Sequence, residues 1–142
     1  MTDDKSPVAP LLPDVGSTLL GPHWEAAARH RLAVPFCAGC GAPQWPPRTN
    51  CLRCRGFDFA WREIPARGEL YSYFIARKAL HPSLADEVPY AAGVVSVSTG
   101  IKILGRLVGL DVGDIRIGMP VRAAFRERAP GITLVHWEPA PE

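Results

Sequence analysis

The chain has 142 residues and a formal net charge of +2, and 47% of its residues are apolar. This length predicts one domain, with at most a small appended module, and enough apolar residues for a hydrophobic core. The small net charge argues against a general binder of polyanions. Because no stretch approaches the roughly 18 apolar residues of a membrane span and the N-terminus lacks a signal-peptide pattern, a cytoplasmic protein that does not contact the membrane is expected.

The first 35 residues are expected to form an arm and a helix. Residues 1–20 carry three prolines in a weakly hydrophobic setting, which is typical of an extended arm. In the helix predicted for 21–35, Pro22 suits the first turn and Pro35 ends the segment.

An apolar stripe is expected along this helix. Trp24, Ala28 and Leu32 are four residues apart and would lie on one face. So short a helix is not stable alone in water, so the stripe must be covered by this chain or by another subunit.

All four cysteines lie in a segment predicted to form a separate module, residues 36–64. Cys37 and Cys40 form one Cys-x-x-Cys pair, Cys51 and Cys54 form a second, and ten residues lie between the pairs. Each such turn places two thiols on one side of a tetrahedral ion, so two turns joined by a hairpin complete a four-thiolate shell.

The pattern favours a metal ribbon over disulfides or a redox dithiol. Disulfides are uncommon in the cytoplasm, and a redox dithiol needs only one pair beside a βαβ unit, a pattern that is not seen here. Gly41 and Gly56 follow the pairs, where a tight turn often requires a positive φ. The sequence therefore predicts a structural zinc site with no open coordination position; iron suits the same geometry.

Residues 65–138 are predicted to form a β-barrel, followed by a tail at 139–142. Thr99-Gly100 is a hairpin turn signal, and residues 111–119 leave room for one helical turn. Five short strands with a break before the fourth suit an OB-type barrel, although periodicity alone leaves a small sandwich open. The fold class is therefore mostly β, with strands at 68–78, 89–98, 101–110, 120–128 and 131–137.

No catalytic set is recognisable in the sequence. All cysteines are assigned to the metal, and none of the four histidines lies in a known nucleophile, metal or phosphate-loop motif. The histidines are His23, His30, His81 and His136. We therefore expect a protein that is not itself an enzyme.

Arginines are concentrated near the cysteines. Seven arginines and only two acidic residues lie between positions 29 and 67, and Trp45, Trp61, Tyr71 and Tyr73 lie in or near this stretch. Cations beside aromatic rings suit a ligand with phosphates and a flat base, which describes both single-stranded nucleic acid on an OB face and the adenosine end of coenzyme A. With only three lysines in the chain, nucleic acid is the weaker alternative.

An ordered series of short motifs resembles the DUF-thirty-five family, acyl-CoA-associated proteins with a rubredoxin-like zinc ribbon and an OB fold. The resemblance covers about residues 20–138. The members of the series are His23-Trp24-Glu25, Leu32, the FCAGCG of 36–41, Pro46-Pro47-Arg48, the CLRC of 51–54, Trp61, the RGELYS of 67–72, Val88-Pro89-Tyr90, the ILGRLVG of 103–109 and the IGMPV of 117–121. The chain departs from the family at Ser98-Thr99-Gly100, where an acidic residue often precedes the glycine.

The resemblance implies a non-catalytic accessory subunit. Family members accompany thiolase-like enzymes, such as lipid-transfer-type aldolases and acyltransferases, or hydratases that act on acyl-CoA thioesters. They are thought to help bind the acyl-CoA or organise the complex, so a hetero-oligomer is expected.

Two sets of residues follow as expectations from this role. Arg48, Arg53, Arg77 and Lys78 are expected to contact the phosphates of coenzyme A, because their charges are complementary. Partner or pantetheine contacts are expected at Trp24, Leu32, His81 and Tyr90.

Overall fold

The computed structural model describes residues 11–141, which form one helix and two β-sheets. Two short 3-10 turns, Pro82–Leu84 and Val112–Asp114, interrupt the loops. The helix is α1 (Gly21–Ala28), and the strands are β1 (Leu32–Cys37), β2 (Phe59–Ile64), β3 (Arg67–Ala76), β4 (Tyr90–Val97), β5 (Lys102–Leu107), β6 (Pro120–Ala129) and β7 (Ile132–Pro139). No helix in this part of the chain is long and apolar enough to span a membrane.

The second sheet is a closed five-stranded barrel in the order β3-β4-β5-β7-β6. All its pairings are antiparallel except the contact between β5 and β7, where Leu107 lies beside Trp137. A glycine turn joins β4 to β5, with Gly100 at φ +83° and its N–H bonded to the Val97 carbonyl. The predicted OB fold and its central hairpin are confirmed.

The first sheet is formed by β1 and β2. Cys37 ends β1, and the loop between these strands contains the other three cysteines. We call the two strands and this loop the ribbon. β1 and β2 are antiparallel, with Leu32 opposite Ile64 and Cys37 opposite Phe59.

The sheet of β1 and β2 shows that the predicted helix over 21–35 was too long. The helix ends at Ala28 because the chain reverses at His30, which has a φ of +58°.

The predicted arm at 1–20 is described only in its second half, since residues 1–10 lie outside the described part. Residues 11–20 contain turns, not one extended segment. The Ser17 N–H bonds to the Asp14 carbonyl, and the Gly21 N–H bonds to the Ser17 carbonyl.

One hydrophobic core joins the ribbon to the barrel. Leu32 and Val34 of β1 belong to the same buried cluster as barrel residues that include Val95 and Trp137. Helix α1 contacts β1, β6 and β7, and it buries Ala26 and Ala27 against them. The ribbon is therefore held in a fixed position on the barrel.

Candidate metal centre and the adjoining groove

The four cysteine thiols converge at the end of β1. All four sulfurs lie within 4.8 Å of one another. The closest approaches are between the two pairs, at 3.4 Å for Cys37 and Cys54 and 3.7 Å for Cys40 and Cys51. Sulfurs bound tetrahedrally at about 2.3 Å from zinc are about 3.8 Å apart, so the set fits a zinc ion with little adjustment.

Each cysteine turn is closed by one residue in the left-handed region. In the first turn this residue is Gly41, at φ +76°, as expected. In the second turn it is Arg55, at φ +67°, and not Gly56. Gly56 lies beside the thiols without a positive φ, and a Cβ there would lie 3.4 Å from the Cys54 sulfur, in ordinary contact.

Among the four sulfurs, that of Cys51 accepts three hydrogen bonds from groups other than cysteine thiols. The Gln44 side-chain amide donates to it at 3.1 Å, and the N–H groups of Arg53 and Cys54 donate at 3.3 and 3.5 Å. The hydrogen bond from Cys54, followed by that from Arg53, lowers the pKa of the Cys51 thiol to about 6. A thiolate, the form that binds metal, is thus favoured before any ion arrives.

Gln44 was missed by the sequence analysis. It is only 7% exposed, and its contact with Cys51 spans seven positions of an irregular proline-rich loop. No periodic pattern marks such a residue. The sequence offered one signal for this role, which was a polar side chain located between the two cysteine pairs.

A groove of about 550 Å³ lies between the cysteine loop and the β4–β5 turn. Arg48 and Arg53 both line it, together with the apolar Trp45, Leu52 and Ile101. No acidic side chain lines the groove. The structure therefore brings two of the four predicted phosphate contacts together, beside apolar surface.

The other two predicted phosphate contacts, Arg77 and Lys78, lie elsewhere. They follow β3, whose last residue Ala76 is paired with Tyr90 at the start of β4. The groove lies beyond the far end of β4, which is about 25 Å away along an eight-residue strand. The four cations therefore do not converge on one groove, and the expected contacts of Arg77 and Lys78 with coenzyme A stay a prediction.

The four predicted partner contacts are packed within the chain to different degrees. Leu32 is 1% exposed in the core, so the expected partner contact there was wrong: it lies on β1 and not on an exposed helix. Trp24 is half-buried with its ring edge-on to His23, at a centroid distance of 4.9 Å. Nδ1 of His81 accepts from the N–H of Ser83, and the Arg106 guanidinium covers Tyr90 at 4.2 Å.

An ionic cluster fixes the loop that precedes β4. The Glu87 carboxylate accepts from Arg106 at 2.7 Å and from Arg128 at 3.5 Å. The hydrogen bond from Arg106 lowers the pKa of Glu87 below its ordinary value. Because Arg128 is 41 positions away from Glu87, no local pattern could predict this contact.

His23 is buried and His136 is partly buried. Burial lowers the pKa of both His23 and His136, and the charge of Arg106 adds to the effect at His136. Both imidazoles are therefore neutral at pH 7. Neither lines the groove, although the His23 ring packs at a centroid distance of 5.0 Å on Trp45, which does.

Family models and known proteins show what the chain is similar to. Residues 24–60 match the model of the ChsH2 rubredoxin-like zinc ribbon domain, and residues 61–126 match that of the ChsH2 C-terminal OB-fold domain. A DUF35 domain-containing scaffold protein of Methanocaldococcus jannaschii is 30% identical over 69% of this chain and 70% of its own length. The chain belongs to the ChsH2 (DUF35) family.

Two further similarities involve proteins of acyl-CoA metabolism or aldolase assemblies. A chain of the solved Ltp2-ChsH2(DUF35) aldolase is 34% identical, with a TM-score of 0.80 over 88% of this chain and 97% of that one. A probable enoyl-CoA hydratase alpha subunit of Thermomonospora curvata is 37% identical over 82% of this chain. The chain spans only 36% of that subunit's length. Family membership makes the four cysteines the metal set of a structural zinc ribbon.

Proposed function

We propose that this ChsH2-family chain is a non-catalytic accessory subunit of an acyl-CoA-processing complex. Its partner is a thiolase-like enzyme, which carries out the reaction with its own residues. The observation that carries the proposal is the similarity over nearly the whole chain to a component of the Ltp2-ChsH2(DUF35) aldolase. A hydratase is the second class of partner, because one relative is named as a hydratase subunit.

The groove gives this subunit a direct role in ligand binding. Arg48 and Arg53 supply charge-assisted donors for the phosphates of a coenzyme A thioester, and Trp45 and Leu52 supply apolar surface beside them. Each such hydrogen bond to a charged group contributes about 1.5–3 kcal/mol.

The zinc ribbon holds the groove in shape. Arg53 follows Cys51 by two positions and its N–H bonds the Cys51 sulfur, while Gln44 both lines the groove and bonds the same sulfur. The metal therefore fixes the loop that carries both arginines. Zinc supplies structure here and no Lewis acid, because four protein ligands complete its shell.

Purification of the tagged chain from its own host tests the partner. We expect a thiolase-like enzyme in stoichiometric amount, identified by mass spectrometry, and acyl-CoA turnover by the complex but not by the chain alone. Retention of nucleic-acid machinery with no such enzyme, or turnover by the isolated chain, would refute the proposal.

The ligand role is tested separately with Arg53→Ala. In the purified complex, the affinity for acetyl-CoA, measured by calorimetry, should fall roughly tenfold while zinc content stays unchanged. Arg126→Ala is the matched control, because Arg126 is an exposed arginine on β6, outside the groove lining. Equal affinities for the two variants would remove Arg53 from the binding site.

A further inference from the structure

The outer face of the barrel carries a group of exposed apolar side chains. Tyr71, Phe74 and Leu104 are 59%, 52% and 59% exposed. Tyr71 and Phe74 lie on β3 and Leu104 lies on β5, on either side of β4, since Val94 of β4 is paired with Leu104 on one side and with Ser72 on the other. Single exposed apolar residues are ordinary, but a cluster on one face marks an interaction surface.

This face borders a strand edge that the barrel leaves open. β3 is paired with β6 only at Arg67, Gly68 and Glu69. The pairing of β3 with β6 ends before Leu70. The Leu70 N–H donates to the Met119 carbonyl, and the Leu70 carbonyl accepts from the Gly118 N–H. Between residues 71 and 76, β4 is the only strand of the described chain that pairs with β3.

The open edge can form hydrogen bonds with another strand. In an antiparallel sheet, alternate residues direct both backbone groups to the same edge, so every second residue of 71–76 presents an N–H and a C=O outward. The segment YSYFIA contains no charge and no proline, two of the features by which proteins protect a free edge, and the one irregularity of β3 is the register shift between Leu70 and Ser72 at its start. A segment of this kind is expected to be covered.

The charges around the edge indicate what covers it. Arg77 and Lys78 follow one end, Lys102 lies 4.7 Å over the Tyr71 ring, and Arg116 belongs to the turn that bonds Leu70. Glu69 is the carboxylate next to these cations on β3. The border is thus mainly positive, which is complementary to acidic side chains.

We propose that residues 71–76 bind an extended segment of the partner enzyme as an added β-strand. The segment places apolar side chains over Tyr71 and Phe74 and acidic side chains near Lys102 and Arg77. Backbone hydrogen bonds supply the attachment, and the side chains select the partner. This inference rests on the proposed function, because the occupant is the partner subunit named there.

Hydrogen exchange on the purified complex tests the added strand. The alternate amides of residues 71–76 that point to the open edge should exchange at least about tenfold more slowly in the complex than in the free chain. Amides of β7, which is already paired with β6 along its length, should change little and serve as the internal control. If the complex forms but residues 71–76 exchange as before, the strand is not there and the proposed function still stands.

Matched substitutions give a second readout. Phe74→Lys should weaken the complex at least tenfold, whereas Phe57→Lys, at a 77% exposed ribbon position, should leave the affinity within about twofold. Equal effects of both variants would overturn the inference.

The remaining outcomes overturn the proposal, and the first two of them identify another occupant. If the free chain dimerises and residues 71–76 are protected in the dimer, the occupant is a second copy. If a single-stranded oligonucleotide of about 20 nucleotides protects them, with a binding constant that falls steeply with salt, the surface binds nucleic acid. If neither a thiolase-like enzyme nor a hydratase is found with the tagged chain, the proposed function itself fails.

Discussion

Replacing Gln44 with leucine should weaken the metal site without unfolding the chain. The substitution removes a 3.1 Å hydrogen bond to the Cys51 sulfur at a side chain that is only 7% exposed. A hydrogen bond to a charged group contributes about 1.5–3 kcal/mol, and 1.4 kcal/mol is a factor of ten in affinity. The zinc dissociation constant should therefore rise by roughly 10- to 100-fold, the range found for residues that support metal ligands.

Competition with a chromophoric chelator measures this constant directly. Leucine has nearly the volume of glutamine, so the packing of the loop should be retained, which the circular dichroism spectrum checks. Thr49→Val, a change at an exposed position of the same loop, is the control and should leave the zinc affinity unchanged. If Gln44→Leu binds zinc within twofold of the wild type, the amide does not stabilise the thiolate.

Two further substitutions examine the barrel. In Gly105→Ala the new Cβ would lie 2.7 Å from both Trp137 Cδ1 and a backbone carbonyl oxygen, so we expect a loss of about 1–3 kcal/mol in urea unfolding. Gly113→Ala, where no atom lies within 4 Å, is the control, and equal stability of the two variants would contradict the packing argument. Glu87→Gln should be less stable than the wild type at pH 7, because the native pKa of Glu87 is lowered by Arg106. This difference is complete above the ordinary carboxyl pKa of about 4.3 and is lost as the pH falls through the lower native value, so melting temperatures that differ equally at pH 7 and pH 3 would refute it.

Local patterns were sufficient to predict the modules of this chain. The two Cys-x-x-Cys pairs indicated the ribbon, and Thr99-Gly100 indicated the central hairpin, because each signal is complete within a few residues. The resemblance to a known family then selected the OB barrel over a sandwich, a choice that strand periodicity left open.

What the sequence could not provide depends on distant partners. The four-residue spacing of Trp24, Ala28 and Leu32 suggested one helix, but Leu32 pairs with Ile64 on a strand 32 positions later. Likewise, Arg53 and Arg77 have the same charge, but Arg53 lies in the cysteine loop beside the groove and Arg77 follows β3 at the other end of β4. Neither fact is visible before the strand register is known.

The strand β2 has a consequence for experiments that divide the protein. The two matched family models meet between residues 60 and 61, in the middle of β2, which runs over Phe59–Ile64. A fragment cut there would keep the pair of Cys37 with Phe59 and lose that of Leu32 with Ile64, and it would expose the part of the core that β1 shares with the barrel. The two family domains should therefore behave as a single cooperative unit, and expression of either half alone should yield an unfolded or aggregating product.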